Sequence, residues 1–341
     1  MLQRLDGLVT TRETTKRYGI VDLLKIALTV GIVFRHAELV GEAGILPEYD
    51  TFNRAMMLLT ELCVPMFFIL SGFLYFRNVP ERPDWQFFWK KTRSRCFSLL
   101  IPYLIANCVA FLCYWAAYRY VPEMMSGWFG EDWRNPLFVF WSGPVNLSLW
   151  FIRDLIIACL FAPLTWLIVR YTRFYGVLAL GLVWFFRGMA PWYNFFFALG
   201  AWAAIRKVDV VTACRRSGPV WLLVYLCCFY AAMKDYTLTN LTILAGIPFS
   251  ICAADAAMQT PGRTIDPAWQ GWCFFIYLYH YILILVVKKV LPMWMAPNKF
   301  MALLLCYLAV ALLTLGLLSG LYLIMKKLMP RVTGVLVGGK V

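Results

Sequence analysis

The sequence predicts an all-α fold, a polytopic bundle of membrane helices, and three observations predict it. Hydrophobic residues make up 62% of the chain. Apolar runs of about 18 residues or more, enough for a helix to cross the hydrocarbon core, recur along its whole length. The longest polar stretches, the first 17 residues and the loops near 77–96 and 119–148, are too short to enclose a core of their own. The net charge of +14 argues here for basic cytoplasmic loops rather than for nucleic acid.

About ten spans are expected. The first, 20–39, follows about 19 polar residues and carries Asp22 and Lys25, so it reads as a retained anchor rather than a cleaved signal. The second, 54–76, holds Glu61 and the Ser71-Gly72 pair; the third, 97–118, follows a basic cluster; the fourth, 149–169, carries Arg153 and Asp154. Three short ones follow at 174–187, 191–205 and 218–233, and then 239–258 with Asp255, 270–291 with His280, and 300–325. The expected organisation is a cytoplasmic segment 1–19, one transmembrane domain 20–325 and a cytoplasmic tail 326–341, with no internal repeat.

Charge supports the count. With the first residues inside, the cytoplasmic segments hold 21 of the 32 Lys and Arg, the opposite loops hold 8, and Lys25, Arg35 and Arg153 lie within spans. Such a bias sets orientation, so both ends are expected in the cytoplasm. The loop 119–148, with Trp128, Trp133, Phe138, Phe140 and Trp141, reads as an interfacial aromatic belt or as a re-entrant lid over a polar acceptor. Eleven cysteines fall mostly in apolar runs without CxxC pairs, so neither a metal site nor a disulfide framework is expected.

The candidate chemistry lies inside the membrane. The chain has two histidines, His36 and His280, both in apolar spans. An ionisable group there costs roughly 2.5–3.5 kcal/mol when charged, so it faces the bundle interior and is a functional candidate; histidine also suits acid–base work near neutral pH. The bland reading of each is one interhelical hydrogen bond. Lys25 and His36 are eleven positions apart, which at about 100° and 1.5 Å per residue puts them on one helix face, roughly 16 Å apart along the axis. Asp22, three residues before Lys25, can pair with it. Glu61 and Asp255 read as structural polar groups, and Arg153 and Asp154, being adjacent, are expected to need separate partners. The cluster Lys90-Lys91-Thr92-Arg93-Ser94-Arg95 either fixes topology and touches anionic lipid or holds phosphate.

These residues also carry a resemblance. Asp22-Leu-Leu-Lys25 with His36 eleven residues on is similar to the first-helix motif of the membrane acyltransferase-3 family, Arg, ten residues, then His. Val64-Pro-Met-Phe-Phe-Ile-Leu-Ser71-Gly72-Phe73-Leu74 resembles its second-helix signature, and Arg95 to Ile101-Pro102-Tyr103-Leu104 resembles its basic motif leading into a Pro-Tyr helix start. Leu149-Trp150-Phe151, Phe275-Ile-Tyr277-Leu-Tyr-His280 and Thr333-Gly334 to Gly338-Gly339-Lys340 are weaker matches. Lys25 stands where the family usually has Arg, and Ser98 where a second Arg of the basic motif is expected.

The resemblance implies an enzyme of the bacterial cytoplasmic membrane that moves an acyl group, acetyl in the first instance, from acyl-CoA to a hydroxyl of a carbohydrate or glycolipid acceptor, without a metal. Arg95, helped by Lys91 or Arg93, would hold donor phosphates. Lys25 would hold a donor group or stabilise developing charge, and His36 would be the general base, with His280 a second catalytic candidate and transient acylation of the imidazole a variant. Ser71 reads as a packing residue. The competing readings are a transporter or flippase of a lipid-linked or anionic solute, for which intramembrane charge is equally ordinary, and a non-catalytic scaffold.

Overall fold

A computed structural model describes residues 2–39, 46–120, 140–141, 144–187, 192–259, 265–266, 268–295, 297 and 299–339. Among them there are helices and no strand: α1 (Leu2–His36), α2 (Pro47–Glu61), α3 (Cys63–Phe76), α4 (Trp85–Tyr120), α5 (Trp150–Leu160), α6 (Ala162–Thr172), α7 (Phe174–Arg187), α8 (Trp192–Ile205), α9 (Val210–Arg216), α10 (Gly218–Lys234), α11 (Thr239–Ala257), α12 (Trp269–Met295), α13 (Phe300–Leu328) and α14 (Pro330–Leu336). Short 3₁₀ turns at Leu147–Leu149 and Tyr236–Leu238 lead into α5 and α11. Of the aromatic loop, residues 121–139 and 142–143 lie outside the described residues.

Among the described residues five segments are long and apolar enough to cross a membrane: Pro47–Phe76, Trp85–Tyr120, Tyr236–Ala257, Trp269–Met295 and Phe300–Leu328. Two bent pairs raise the number to seven, α5 with α6 at 61° and α9 with α10 at 80°. Both bends have a proline at their root. Pro163 has no N–H for the Cys159 carbonyl four residues earlier, and that oxygen accepts the Thr92 hydroxyl of α4 at 3.1 Å instead. Pro219 opens α10 in the position where proline is tolerated, so α9 stops short of it. The helix start implied at Pro102-Tyr103 is corrected: Pro102 sits inside α4, which begins at Trp85 and contains the expected span 97–118. The basic cluster is therefore part of the same helix as the span, because the residues before Pro102 are good helix formers and only the Ser98 carbonyl loses its partner.

The chain divides into two compact units. The first takes Met1–Gly31, Phe52–Val79 and Trp166–Gln270. Its tightest crossing is α3 on α8: a side-chain carbon on Gly72 would overlap the Phe197 carbonyl, and one on Gly200 the Ile69 carbonyl. Small residues let membrane helices approach to backbone contact, so the second-helix signature is a packing motif and Ser71 is its neighbour. Trp184 of α7, 1% exposed, meets Phe196 of α8 at 4.9 Å and 71°, an edge-to-face contact. Arg206 donates to the Val169 and Arg170 carbonyls at 3.0 and 2.9 Å, capping α6 with a cation. Asp255 of α11, 1% exposed, takes a two-pronged hydrogen bond from Arg215 of α9 at 2.6 and 2.8 Å and a third from Gln259 at 3.0 Å, the structural role expected of it. Outside the spans, Asp235 accepts hydrogen bonds from the Thr237 hydroxyl and N–H, which hold its carboxyl below the usual carboxylate range.

The second unit takes Ile32–Thr51, Pro80–Thr165 and Gly271–Val341. Trp272 of α12 donates to Ser319 of α13 at 2.9 Å, and Phe275 lies 5.5 Å from the Tyr322 ring. Arg153 and Asp154, expected to need separate partners, are bonded to each other: Arg153 Nε donates to Asp154 at 2.8 Å. The guanidinium also reaches the Trp141 carbonyl at 3.0 Å, and that reach swings the long side chain across its neighbour's carboxylate.

Candidate active site

The second unit brings the two histidines together. His36 is the last residue of α1, and the carbonyl of Phe34, two residues earlier, accepts the Tyr307 hydroxyl of α13 at 2.7 Å. The Leu39 N–H just beyond donates to the Tyr49 hydroxyl at 3.2 Å. The end of α1 is thus tied on both sides, which fixes where the half-buried imidazole stands. Its ring centre is 5.4 Å from that of His280 at a 35° tilt, and 5.1 Å from that of Tyr281 edge-on at 87°.

His280 is 0% exposed, and its hydrogen bonds fix its tautomer. Nδ1 lies 2.8 Å from the Tyr277 carbonyl and 3.2 Å from that of Ile276. A carbonyl only accepts, so Nδ1 carries the hydrogen. Nε2 is left as the lone-pair nitrogen, and it is buried with no hydrogen-bond partner among the described residues. A buried unpartnered acceptor costs free energy, which makes this nitrogen a candidate contact for a substrate or a moving proton.

A polar clamp holds the segment that carries His280. Asn146 Nδ2 donates to the Leu278 carbonyl at 2.8 Å, the Ser148 hydroxyl donates to Asn146 Oδ1 at 2.8 Å, and the Tyr277 hydroxyl donates to the Ser148 carbonyl. The Asn146 N–H meets Asn107 Oδ1 of α4 at 3.4 Å, and Asn107 donates to the Tyr103 carbonyl at 3.1 Å. Asn107, Asn146 and Ser148 are buried. Sequence reasoning missed all three, because a lone Asn or Ser in an apolar run has no periodicity to betray it. The only signal was the polar pair just before the Leu149-Trp150-Phe151 motif.

Lys25 belongs to the first unit. Its Nζ lies 3.1 Å from Asp22 Oδ1, the pairing its spacing foretold, and the same oxygen accepts Gln270 Nε2 at 3.2 Å. Gln270 was not foreseen. The ammonium is half-buried, and among the described residues one carboxylate oxygen holds it, so it has further hydrogens to donate.

The basic cluster is a turn and a half of α4 in the second unit. Lys91 and Arg95 are four apart and share a face, both half-buried, whereas Arg93 is exposed on another face. Lys91 Nζ lies 5.1 Å over the Phe87 ring and Arg93 Cζ 5.7 Å over Phe97, cation–π contacts that lay the stems along the helix.

The matching family model, described as an acyltransferase domain, covers residues 18–320. The chain belongs to the acyltransferase-3 family. This bears out the resemblance carried by the histidine and second-helix motifs, and it favours group transfer over transport. A succinoglycan biosynthesis protein, ExoH, from Rhizobium meliloti (strain 1021) is similar at 25% identity, over 94% of this chain and 92% of that one. No solved structure matches. The protein is an integral membrane member of its family, with five to seven segments among the described residues able to cross by length and composition.

Proposed function

We propose that this protein transfers an acyl group, acetyl in the first instance, from cytoplasmic acyl-CoA to a hydroxyl of a carbohydrate destined for export, as a free or lipid-linked glycan, in the cytoplasmic membrane of a bacterium. The observation that carries the reading is the close pair of a half-buried and a buried imidazole in a chain of an acyltransferase family. The succinoglycan assignment of the relative supports a polysaccharide acceptor.

His36 is the general base. An alcohol is a poor nucleophile until a base takes its proton, and His36 is the accessible member of the pair. It removes the acceptor hydroxyl proton as that oxygen bonds to the thioester carbonyl carbon. The C–S bond then breaks, the acyl group stays on the sugar oxygen, and the proton goes to the departing thiolate to give free coenzyme A. His280 stands beside that ring with its Nε2 lone pair turned to no described partner; it accepts the His36 N–H when that ring takes the proton and so stabilises the imidazolium, as a fixed acceptor does in hydrolase triads. Lys25, held by Asp22, donates to the donor or to charge developing in the transition state. Arg95 and Lys91, on one face of α4, bind donor phosphates, the guanidinium in two-pronged fashion; Arg93 contributes field rather than contact. The acceptor meets the site from the outer half, and the chain crosses the membrane ten times with both ends cytoplasmic.

Radiolabelled acetyl-CoA incubated with purified protein and glycan from the host tests this. Label in the glycan, lost with His36→Ala at equal protein, is expected. Absence of label with every acyl-CoA and acceptor fraction tried would overturn it.

A further inference from the structure

The C-terminal motif and the basic motif meet in the second unit. α14 begins at Pro330 and ends in a glycine pair. Gly338, with φ +62°, donates its N–H to Val335 O at 3.1 Å, and Gly339 donates to Gly334 O at 2.8 Å. These are the two bonds of the glycine-terminated helix end known as the Schellman motif. Val337 and Thr333 are 0% exposed, so the turn is docked rather than trailing. It docks on the backbone of α4: a side-chain carbon on Gly338 would overlap the Ser98 carbonyl oxygen.

That carbonyl is a marked one. Pro102 stands four residues later and has no N–H to give it. A Cα–H of Gly338 faces the oxygen in place of the missing donor, a weak but recurrent contact. Ser98 is also tied to the basic cluster, since its hydroxyl donates to the Arg95 carbonyl at 3.0 Å. The weak point that proline leaves in α4 thus lies one turn from Arg95 and two from Lys91, and the glycine turn after α14 covers it.

We propose that the C-terminal turn Thr333–Gly339 is a working part of the acyl-donor site: seated on Ser98, it holds the turn of α4 whose Arg95 and Lys91 bind donor phosphates. Gly338 is a positioning residue for Arg95. The second arginine of the family motif is replaced by Ser98, so donor binding rests on one well-placed guanidinium, and its placement counts for more. This rests on the reading of Arg95 as a donor contact.

The test compares Gly338→Asn, Gly339→Asn and Arg95→Ala in detergent-purified enzyme, with KM for acetyl-CoA, KM for the glycan and kcat measured separately. Asparagine tolerates positive φ, and a side chain on Gly339 meets nothing within 4 Å. Only the collision with Ser98 therefore separates the two glycine variants. Gly338→Asn is expected to raise the donor KM about tenfold, the size of a lost charge-assisted hydrogen bond, with the glycan KM and kcat retained; Gly339→Asn stays near wild type. An unchanged donor KM in Gly338→Asn, beside a raised one in Arg95→Ala, overturns the proposal alone. An unchanged donor KM in Arg95→Ala overturns the donor reading beneath it. If Gly338→Asn does not accumulate, a chain stopped after Leu336, which removes the turn without a collision, decides by the same donor KM. Failure of both to accumulate would make the tail a folding element only, and the proposal falls.

Discussion

Two histidines from distant parts of the chain share one buried spot, and their unequal surroundings divide the labour. His280 is locked by the Ile276 and Tyr277 carbonyls, while His36 is half-buried at a helix end. If His280 acts through His36, His36→Ala and His280→Ala each lower transfer by about 10²–10⁴, the usual worth of a general base. The double variant is then no slower than the worse single, because residues that act as a unit are not additive. Labelled acyl transfer at matched membrane abundance checks both; independent, multiplying losses would separate the two rings. Asn146 is a second test at this scale. Asn146→Ala leaves the Ser148 hydroxyl without its buried acceptor and takes from the Leu278 carbonyl the second bond it has beyond that of its own helix, at about 1–3 kcal/mol for the hydroxyl left unsatisfied. A lower melting temperature in detergent together with reduced transfer is expected, whereas a stability loss with full activity would show that the clamp serves the fold and not His280. The histidines themselves were legible, because a charge-bearing residue in an apolar run announces itself. Their meeting was not, since nothing local links positions 36 and 280, and the Asn146 clamp was invisible because a buried amide is meaningful only through its partners.

At the scale of elements, the chain uses glycine for contact and proline for breaks. Gly72→Ala places a methyl against the Phe197 carbonyl; backbone cannot rotate away, so α3 and α8 must part, at about 1–3 kcal/mol or more for overpacking. Gly316→Ala in α13 meets nothing within 4 Å and should be neutral or stabilise by up to about 1 kcal/mol through helix propensity. Thermal denaturation of the two variants side by side checks the contrast, and equal melting temperatures would deny the close crossing. Arg215→Ala removes the two-pronged hydrogen bond to the 1% exposed carboxylate of Asp255; with the Arg215 side chain 47% exposed and Gln259 still bonded, the loss is about 1–3 kcal/mol, which the same melts would register. Helix positions were readable from apolar runs, and all ten expected segments fall on helices. What the runs hid were the breaks at Pro163 and Pro219 and the continuity through Pro102. A proline signals that one hydrogen bond is lost, and whether the helix bends or continues depends on what takes up the freed carbonyl: Thr92 for Cys159, the C-terminal turn for Ser98.

For the whole molecule the open quantity is how many times the chain crosses, and charge constrains it more than length does. An odd number of crossings would put one basic end outside, either Arg4, Arg12, Lys16 and Arg17 or Lys326, Lys327, Arg331 and Lys340, against the rule that such clusters stay in the cytoplasm. The count should therefore be even. Length leaves α7 and α8 as the ambiguous pair, 14 residues each, about 21 Å of helix against a hydrocarbon core of about 30 Å. Two thin crossings and one re-entrant hairpin both return the chain to the side of Arg170 and Arg173, so the charge pattern cannot tell them apart. Ten crossings predict that an epitope inserted between α7 and α8 is reached by a membrane-impermeant antibody from outside the permeabilised outer envelope, and that a reporter active only in the cytoplasm works when fused after Val341. An epitope reached only after the cytoplasmic membrane is opened, with the terminal reporter still active, would make α7 and α8 a hairpin and the count eight. A silent terminal reporter would make the count odd and would put the tail, and with it the donor-side role of the glycine turn, on the wrong face of the membrane.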